Sequence, residues 1–475
     1  MKSFIKAFSI YGLIPVFGKF IGILLLPMYT RLLSPEDYGA QDILIQITMF
    51  MTFLINLEMY NGVGRNFYER KGIRERRALV STGIWVTALF AVIVVSTVLL
   101  MGHSIYGLFF DNDTYFRAYD LAMIWAPLSS LYTFLIVIMR YEKKPRLYFT
   151  LINIQLVLRI VSSVVCVAVL KMGVSGVILG HIIGEAAGAL MFGITLRKYI
   201  GFSYRMSDFK SIAMFSLPLV PAVLIISFKN PLIRFLVANL LSVSDMGYYT
   251  IALQMASLLS FVQYGLRMSW HPYLYEMILK PRYEVEVRRI YNLFLGILSI
   301  VSVIIILNGS LLLRVLTTPA YFPARSIIGF VVVFNMLDII RQISGCGPVV
   351  AKRTMYNTYY EFAATATSVA AFLVLHRHIG IVGLAVSFLA GNLIKFVWSW
   401  HLTRRMTNIR LAATPTVLIM GLLVILSTLY AMIDVNLYFS LALSLILFIA
   451  FCYWQKDKLR IVFRHADTRI KALRG

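Results

Sequence analysis

Runs of about 18 to 25 apolar residues follow one another from one end of the chain to the other, and this recurrence limits the fold more than any other feature. Each run is long enough to cross a hydrocarbon core ~30 Å thick as an α-helix. No soluble interior could hide them all: of 475 residues, 60% are hydrophobic and 14% charged, and the mean hydropathy is +0.80. The chain therefore reads as an all-α integral membrane protein with about fourteen transmembrane helices. The predicted spans are 8–29, 40–62, 79–101, 118–138, 149–170, 174–196, 212–238, 247–269, 290–312, 326–346, 357–375, 380–402, 411–432 and 436–454.

Charge placement gives an independent check, because Lys and Arg resist translocation and stay on the cytoplasmic side. With a cytoplasmic N-terminus, 32 of the 45 Lys and Arg fall in cytoplasmic segments, six in outer loops and seven within spans. The inner segments include "RNFYERKGIRERR" (65–77) and "RYEKKPR" (140–146), whereas the outer loops carry Glu36, Asp37, Asp111, Asp113 and Asp434. Both termini are expected in the cytoplasm. The net charge of +24 then follows from topology and from attraction to anionic headgroups, and it does not argue for nucleic acid.

The chain also repeats itself. "LLSPEDYGAQDILIQ" from Leu32 matches "LLSVSDMGYYTIALQ" from Leu240, pairing Ser34 with Ser242, Asp37 with Asp245 and Gly39 with Gly247. "GVSGVILGHIIGE" from Gly173 matches "GIVGLAVSFLAGN" from Gly380 at nearly the same offset, 207 instead of 208. A constant offset over so long a stretch implies duplication. Two pseudo-symmetric six-helix lobes are expected as a parallel repeat, over 1–200 and 201–405, with two further helices and a basic cytoplasmic tail over 406–475.

Charges inside spans cost about 2.5 to 3.5 kcal/mol on insertion scales and usually face a partner or a polar cavity. Here they are Lys19, Arg159, His181, Glu185, Lys229, Arg234, Asp338, Arg341 and Lys395, while Glu58, Arg267 and Glu361 lie nearer predicted span ends, where snorkelling accounts for them. Gly176, Gly180, Gly184 and Gly188 recur every four residues and make a bare helix face suited to close packing. In the second half, Gly383, Ser387, Gly391 and Lys395 occupy the aligned positions. The ionisable residues do not repeat: Lys19 aligns near Ser227, Arg159 near Thr367, Asp338 near Ser130, and His181 and Glu185 with Phe388 and Asn392.

A duplicated scaffold that carries unlike charges in its two halves suits a translocation site between them. Lys19, Arg159, Arg234 and Lys395 are the candidates for a cationic substrate cavity, with snorkelling open for Arg234 and Lys395. Glu185, His181 and Asp338 are the candidates for coupling to H+ or Na+. For His181 with Glu185, and for Asp338 with Arg341, a locally satisfied pair is the competing reading. Two ligands are too few for a metal site, and no metal or other cofactor is expected. Cys166, Cys346 and Cys452 lie in or beside spans, so no disulfide framework follows. No Gly-rich phosphate loop, HExxH or GxSxG is present, and no predicted outer loop exceeds roughly 20 residues. The chain is expected not to be an enzyme.

The stretch "FGKFIGILLLPMYTRLLSPEDYGAQDILIQ" (17–46) resembles the N-terminal signature of bacterial polysaccharide flippases, the Wzx-like branch of the multidrug/oligosaccharidyl-lipid/polysaccharide exporter superfamily. "SLPLVPAVL" (216–224), "MGYYTIALQMASLL" (246–259) and "YFPA" (321–324) extend the resemblance. Where relatives carry Asp-Arg ahead of the Met246–Leu259 stretch, this chain has Ile233-Arg234. The resemblance implies a flippase of the bacterial inner membrane. It would move a polyprenyl-diphosphate-linked oligosaccharide from the cytoplasmic to the outer leaflet by alternating access, for O-antigen, capsule or exopolysaccharide, beside a polymerase and glycosyltransferases. A small-molecule (drug) exporter of the same superfamily and a membrane glycan polymerase are the alternatives. An exporter of cations favours an acidic cavity, and a polymerase needs a large outer loop.

Overall fold

The computed structural model of the chain describes residues 22–142, 144–278, 281–353, 355–432 and 440–447. They form two compact units, one of Leu32–Gly247 and one joining 22–31 to the described residues from Tyr248 onward. Among the described residues every regular element is helical.

After a helix over 22–32 (α1), the Leu32–Gly247 unit contains α2 (Pro35–Asn56), α3 (Met59–Phe67), α4 (Ile73–Leu100), α5 (Gly102–Tyr106), α6 (Phe116–Tyr141), α7 (Pro145–Val164), α8 (Gly173–Thr195), α9 (Met206–Ser216) and α10 (Val220–Leu240). The repeated motif explains how α2 begins. Ser34 caps it by accepting from the Asp37 N–H at 3.1 Å, the Asp37 carboxylate accepts from the Ser34 N–H at 2.9 Å, and Pro35 supplies a preset φ in the first turn. In the second copy, which opens α11 (Val243–Ala256), the Asp245 N–H donates to Ser242 Oγ at 3.0 Å. The two copies also touch. A Cβ on Gly39 would meet the Val243 carbonyl and lie 2.9 Å from Gly247 N, and one on Gly247 would meet the Pro35 carbonyl. Pro35 and Val243 are themselves equivalent, so the contact is reciprocal, as across a local twofold.

The second unit continues with α12 (Ser260–Met277), α13 (Tyr283–Leu307), α14 (Gly309–Leu316), α15 (Arg325–Ser344), α16 (Gly347–Val350), α17 (Met355–Met406) and α18 (Ala413–Met432). Ten described helices are long and apolar enough to cross a membrane. Several predicted boundaries change. The predicted spans 357–375 and 380–402 merge into the 52 residues of α17, broken where Ile379 and Gly380 leave helical geometry. Gly380 adopts φ +51° and its repeat partner Gly173 φ +55°, a left-handed turn that glycine makes without steric cost. The span 212–238 divides into α9 and α10 around a 3₁₀ turn at Leu217–Leu219, where Pro218 and Pro221 prevent one continuous helix. The span 247–269 divides into α11 and α12 at Ser257–Leu259. The predicted spans 8–29 and 436–454 are described only over 22–29 and 440–447.

Burial confirms the solvent. Met59, Phe67, Phe134 and Phe192 are buried together in the first unit, whereas Leu89, Val92, Ile93, Leu99 and Leu100 along α4 are exposed. So large an apolar exterior is stable against lipid and not against water.

Candidate functional site: two polar clusters within the spans

In the first unit the glycine face of α8 sets the geometry. A Cβ on Gly176 would approach the Cys166 backbone at 3.0 Å, one on Gly180 would approach Ser163 at 2.5 Å, and one on Gly184 would lie 2.8 Å from Arg159 Cα. The predicted packing face thus lies directly on α7 and the π-helical turn Val165–Val169 that continues it. Gly188 leaves room for Tyr132 of α6 and Gln155 of α7, whose side chains hydrogen bond at 3.2 Å.

Beside this face lies Glu185, buried with 8% exposure. Its Oε2 accepts from the Trp125 indole N–H of α6 at 2.8 Å. His181 does not hydrogen bond the carboxylate. Its ring packs on Trp125 with centroids 4.5 Å apart, and among the described residues its Nδ1 is buried without a hydrogen-bond partner. The competing sequence reading of a His181–Glu185 pair is therefore corrected: the indole offers both a donor and a flat apolar face, and it takes the carboxylate for itself. Arg159 of α7 is half-buried at the same crossing, within electrostatic reach of Glu185, His181 and Tyr132. Among the described residues its side chain forms no ion pair or hydrogen bond.

The second unit builds a different cluster on the corresponding helices. Lys395, with its side chain 8% exposed, donates to Asp338 of α15 at 2.8 Å and pairs with Glu361 in the first half of α17. Arg341, one turn after Asp338, lies 3.3 Å from the same carboxylate and 3.9 Å from Glu361. Its Nη1 donates to the Tyr360 hydroxyl at 3.2 Å, with the guanidinium over that ring, and the Tyr360 hydroxyl donates to Asn357. Two carboxylates and two cations make this cluster neutral. Snorkelling is corrected for Lys395 and Glu361: each has a charged partner inside the bundle, where intramembrane charges usually find one. Here too small residues set the crossing, since a Cβ on Gly383 would lie 3.0 Å from the Leu375 backbone and one on Gly391 would meet Ala364 and Ser368.

Of the other sequence candidates, Arg234 of α10 is buried and donates from Nε to Asp42 of α2 at 2.8 Å. Lys19 lies outside the described residues. Sequence reasoning missed Asp42, which aligns with Thr250 and so met the same unlike-charge criterion that singled out the others. It also sent Glu58 to the interface. Instead Glu58 is buried where α2 breaks into α3, with Leu57 and Glu58 at φ +39° and +60°. Its carboxylate accepts from Tyr60 at 2.9 Å and from Asn61.

Helical bundles with polar groups confined to the interior of apolar spans are the build of a multi-pass membrane protein. The lipid II flippase MurJ in an inward closed conformation superposes with a TM-score of 0.72 over 95% of this chain and 100% of its own, at 14% identity. An inward-facing multidrug-resistance MATE transporter reaches 0.64 over 81% and 94% at 16% identity, and the Vibrio cholerae MATE transporter VcmN in its bent form 0.53 over 85% and 97% at 14% identity. At these identities the likeness is one of fold. In sequence, a Haemophilus influenzae protein of the Lsg locus (protein 1) is 24% identical over 305 residues, 62% of this chain and 71% of the relative. The family described as "Polysaccharide biosynthesis protein" matches residues 28–263. Residues 28–263 thus match a family of polysaccharide biosynthesis proteins, on a fold shared with the MurJ flippase and the MATE transporters.

Proposed function

We propose that the chain translocates a polyprenyl-diphosphate-linked oligosaccharide across the bacterial inner membrane by alternating access, for surface polysaccharide biosynthesis. The observation that carries this reading is Arg159, a half-buried guanidinium within an apolar span that has no ion pair among the described residues. A diphosphate dragged into a low-dielectric span needs its water replaced by charged donors, and Arg does this with a fork of N–H groups. Lys19 is the second cation of this reading; Arg234 and Lys395, each already paired with carboxylates, would serve only by exchanging partners. Glu185 is the first choice for H+ or Na+ coupling, with His181 beside it; Asp338, already held by Arg341 and Lys395, would serve only by exchanging partners. The lobes over 1–200 and 201–405 would rock against each other, with both termini cytoplasmic, and a polymerase and glycosyltransferases would act on either side of the transport step.

Mass spectrometry of lipid extracts from a deletion strain tests the substrate class. The reading expects one lipid-linked oligosaccharide to accumulate on the cytoplasmic leaflet and to clear when the gene is restored. An exporter of small cations, the reading that the MATE fold neighbours support, leaves those lipids unchanged and raises sensitivity to cationic dyes.

A further inference from the structure

The outer loops hold only six Lys or Arg in the topology proposed above, and two of them converge on one cavity. Arg314 lies in the last turn of α14, and Arg325 opens α15 after the 3₁₀ turn Pro319–Ala324. With Ser310, Leu313 and Phe322 they line a cavity of about 200 Å³, smaller than a drug-sized ligand pocket and suited to a compact group such as a phosphate. No carboxylate belongs to this lining. Arg325 is held in place: its guanidinium stacks over the Tyr430 ring of α18 at 5.1 Å and donates to the Tyr430 carbonyl at 3.1 Å. The Tyr430 hydroxyl in turn donates to Ser310 Oγ at 2.5 Å. Arg314 is exposed, and among the described residues it makes no ion pair or hydrogen bond.

Below this cavity, α18 presents Leu418, Leu422, Ile425 and Leu429 to the exterior, each at least 49% exposed. Their spacing of three to four residues makes one apolar stripe leading to Tyr430. Phe322, in the lining, and Val315, next to Arg314, are likewise exposed. We infer that the Arg314–Arg325 cavity binds the phosphate of an anionic phospholipid of the outer leaflet, with the acyl chains lying along the α18 stripe. The paired guanidiniums match phosphate geometry, and the stripe favours a lipid over a soluble phosphate. The outer-leaflet location rests on the proposed topology; the binding chemistry does not.

Native mass spectrometry of the purified full chain, titrated with phosphatidylglycerol and separately with phosphatidylethanolamine, tests the site. Wild type should retain phosphatidylglycerol in preference, and Arg314→Gln and Arg325→Gln should each weaken that retention about tenfold, or ~1.4 kcal/mol. Equal retention by wild type and Arg314→Gln overturns the inference, since an exposed side chain can be replaced without unfolding the protein. Displacement of phosphatidylglycerol by ~10 mM inorganic phosphate, well above the ordinary range of small-ligand dissociation constants, also overturns it, marking a soluble-anion site. Topology is read separately, by labelling Ala320→Cys with an impermeant reagent in intact cells. Labelling only after lysis would move the site to the inner leaflet without touching the retention result.

Discussion

The two units meet the same problem, polar groups inside apolar helices, with opposite solutions. In the second, Asp338, Arg341, Glu361 and Lys395 neutralise one another. In the first, Glu185 is satisfied by an uncharged indole, and Arg159 faces it across the helix crossing without a direct bond. Both clusters sit on equivalent helices whose crossings are set by small residues, so the scaffold does not account for the difference. A closed, neutral network is suited to fixing three helices together. A guanidinium and a carboxylate held near each other but unbonded are suited to exchanging a ligand. On the function proposed above, the closed network of the second unit is structural, whereas Arg159 and Glu185 of the first unit, unbonded to each other, are functional.

The largest effect should come from the shared scaffold. Gly184→Leu places a side chain against Arg159 Cα, which stands 2.8 Å from even a Cβ there. Folded protein should fall to near zero on immunoblots of membranes, as it should for Gly391→Leu against Ala364. Normal accumulation of either would show that the helix crossings can relax and that the units do not share this constraint.

Next in size is the neutral cluster. Asp338→Asn or Lys395→Met alone leaves an unmatched charge and should cost roughly 2 to 3 kcal/mol, read as a lower melting temperature in detergent. The double substitution removes one charge of each sign and should recover part of the loss. A double variant no better than the worse single variant would mean that these charges do not act as a network.

Glu185→Gln keeps an oxygen for the Trp125 N–H, so abundance should stay within about twofold of wild type, and the side chain loses only its charge. If the first unit's charges are functional, transport should persist at a reduced rate that no longer responds to an imposed ion gradient. A full gradient response in Glu185→Gln vesicles would return this residue to a packing role.

The smallest effect should come from charges at the membrane surface. Burial alone would push the Glu142 carboxyl up, but hydrogen bonds from Tyr199 and Lys198, with the Lys198 and Lys144 charges, hold it below the usual carboxylate range. Its hydrogen bond to Glu142 raises the Lys198 ammonium correspondingly. A depressed carboxylate contributes stability that is present above its unfolded value of about 4.3 and lost as pH falls through its lower folded value. The raised ammonium loses its contribution only above about pH 10.4. Melting temperature should therefore be flat from about pH 5 to 8 with respect to this pair. Glu142→Gln should lower it by only about 1 to 2 °C, because Lys198 is largely solvated.

Much of this was legible before any coordinates, for reasons particular residues show. The Ser34 and Ser242 caps, the Gly173 and Gly380 turns and the glycine face of α8 follow from local chemistry, which a repeat displays twice. Partners could not be read the same way. Trp125 is 60 residues from Glu185 and Glu361 lies in a different part of α17 from Lys395, and nothing in a linear pattern says that an indole will outcompete a histidine one turn away. Asp42 was within reach, since it is charged where its repeat partner Thr250 is not. The break at Ser257–Leu259 was missed because hydropathy is continuous across a 3₁₀ turn, whereas Pro218 and Pro221 mark a kink at Leu217–Leu219 in the sequence itself.

The division of labour is tested most directly by flipping of a lipid-linked oligosaccharide in vesicles containing the purified chain, with wild type and Arg159→Gln side by side. The account predicts transfer of the glycan to the opposite leaflet by wild type, and a rate at least about tenfold lower, a barrier higher by ~1.4 kcal/mol, for Arg159→Gln at equal folded protein. A wild-type rate in Arg159→Gln would contradict it, because the unpaired cation of the first unit would then have no part in transport.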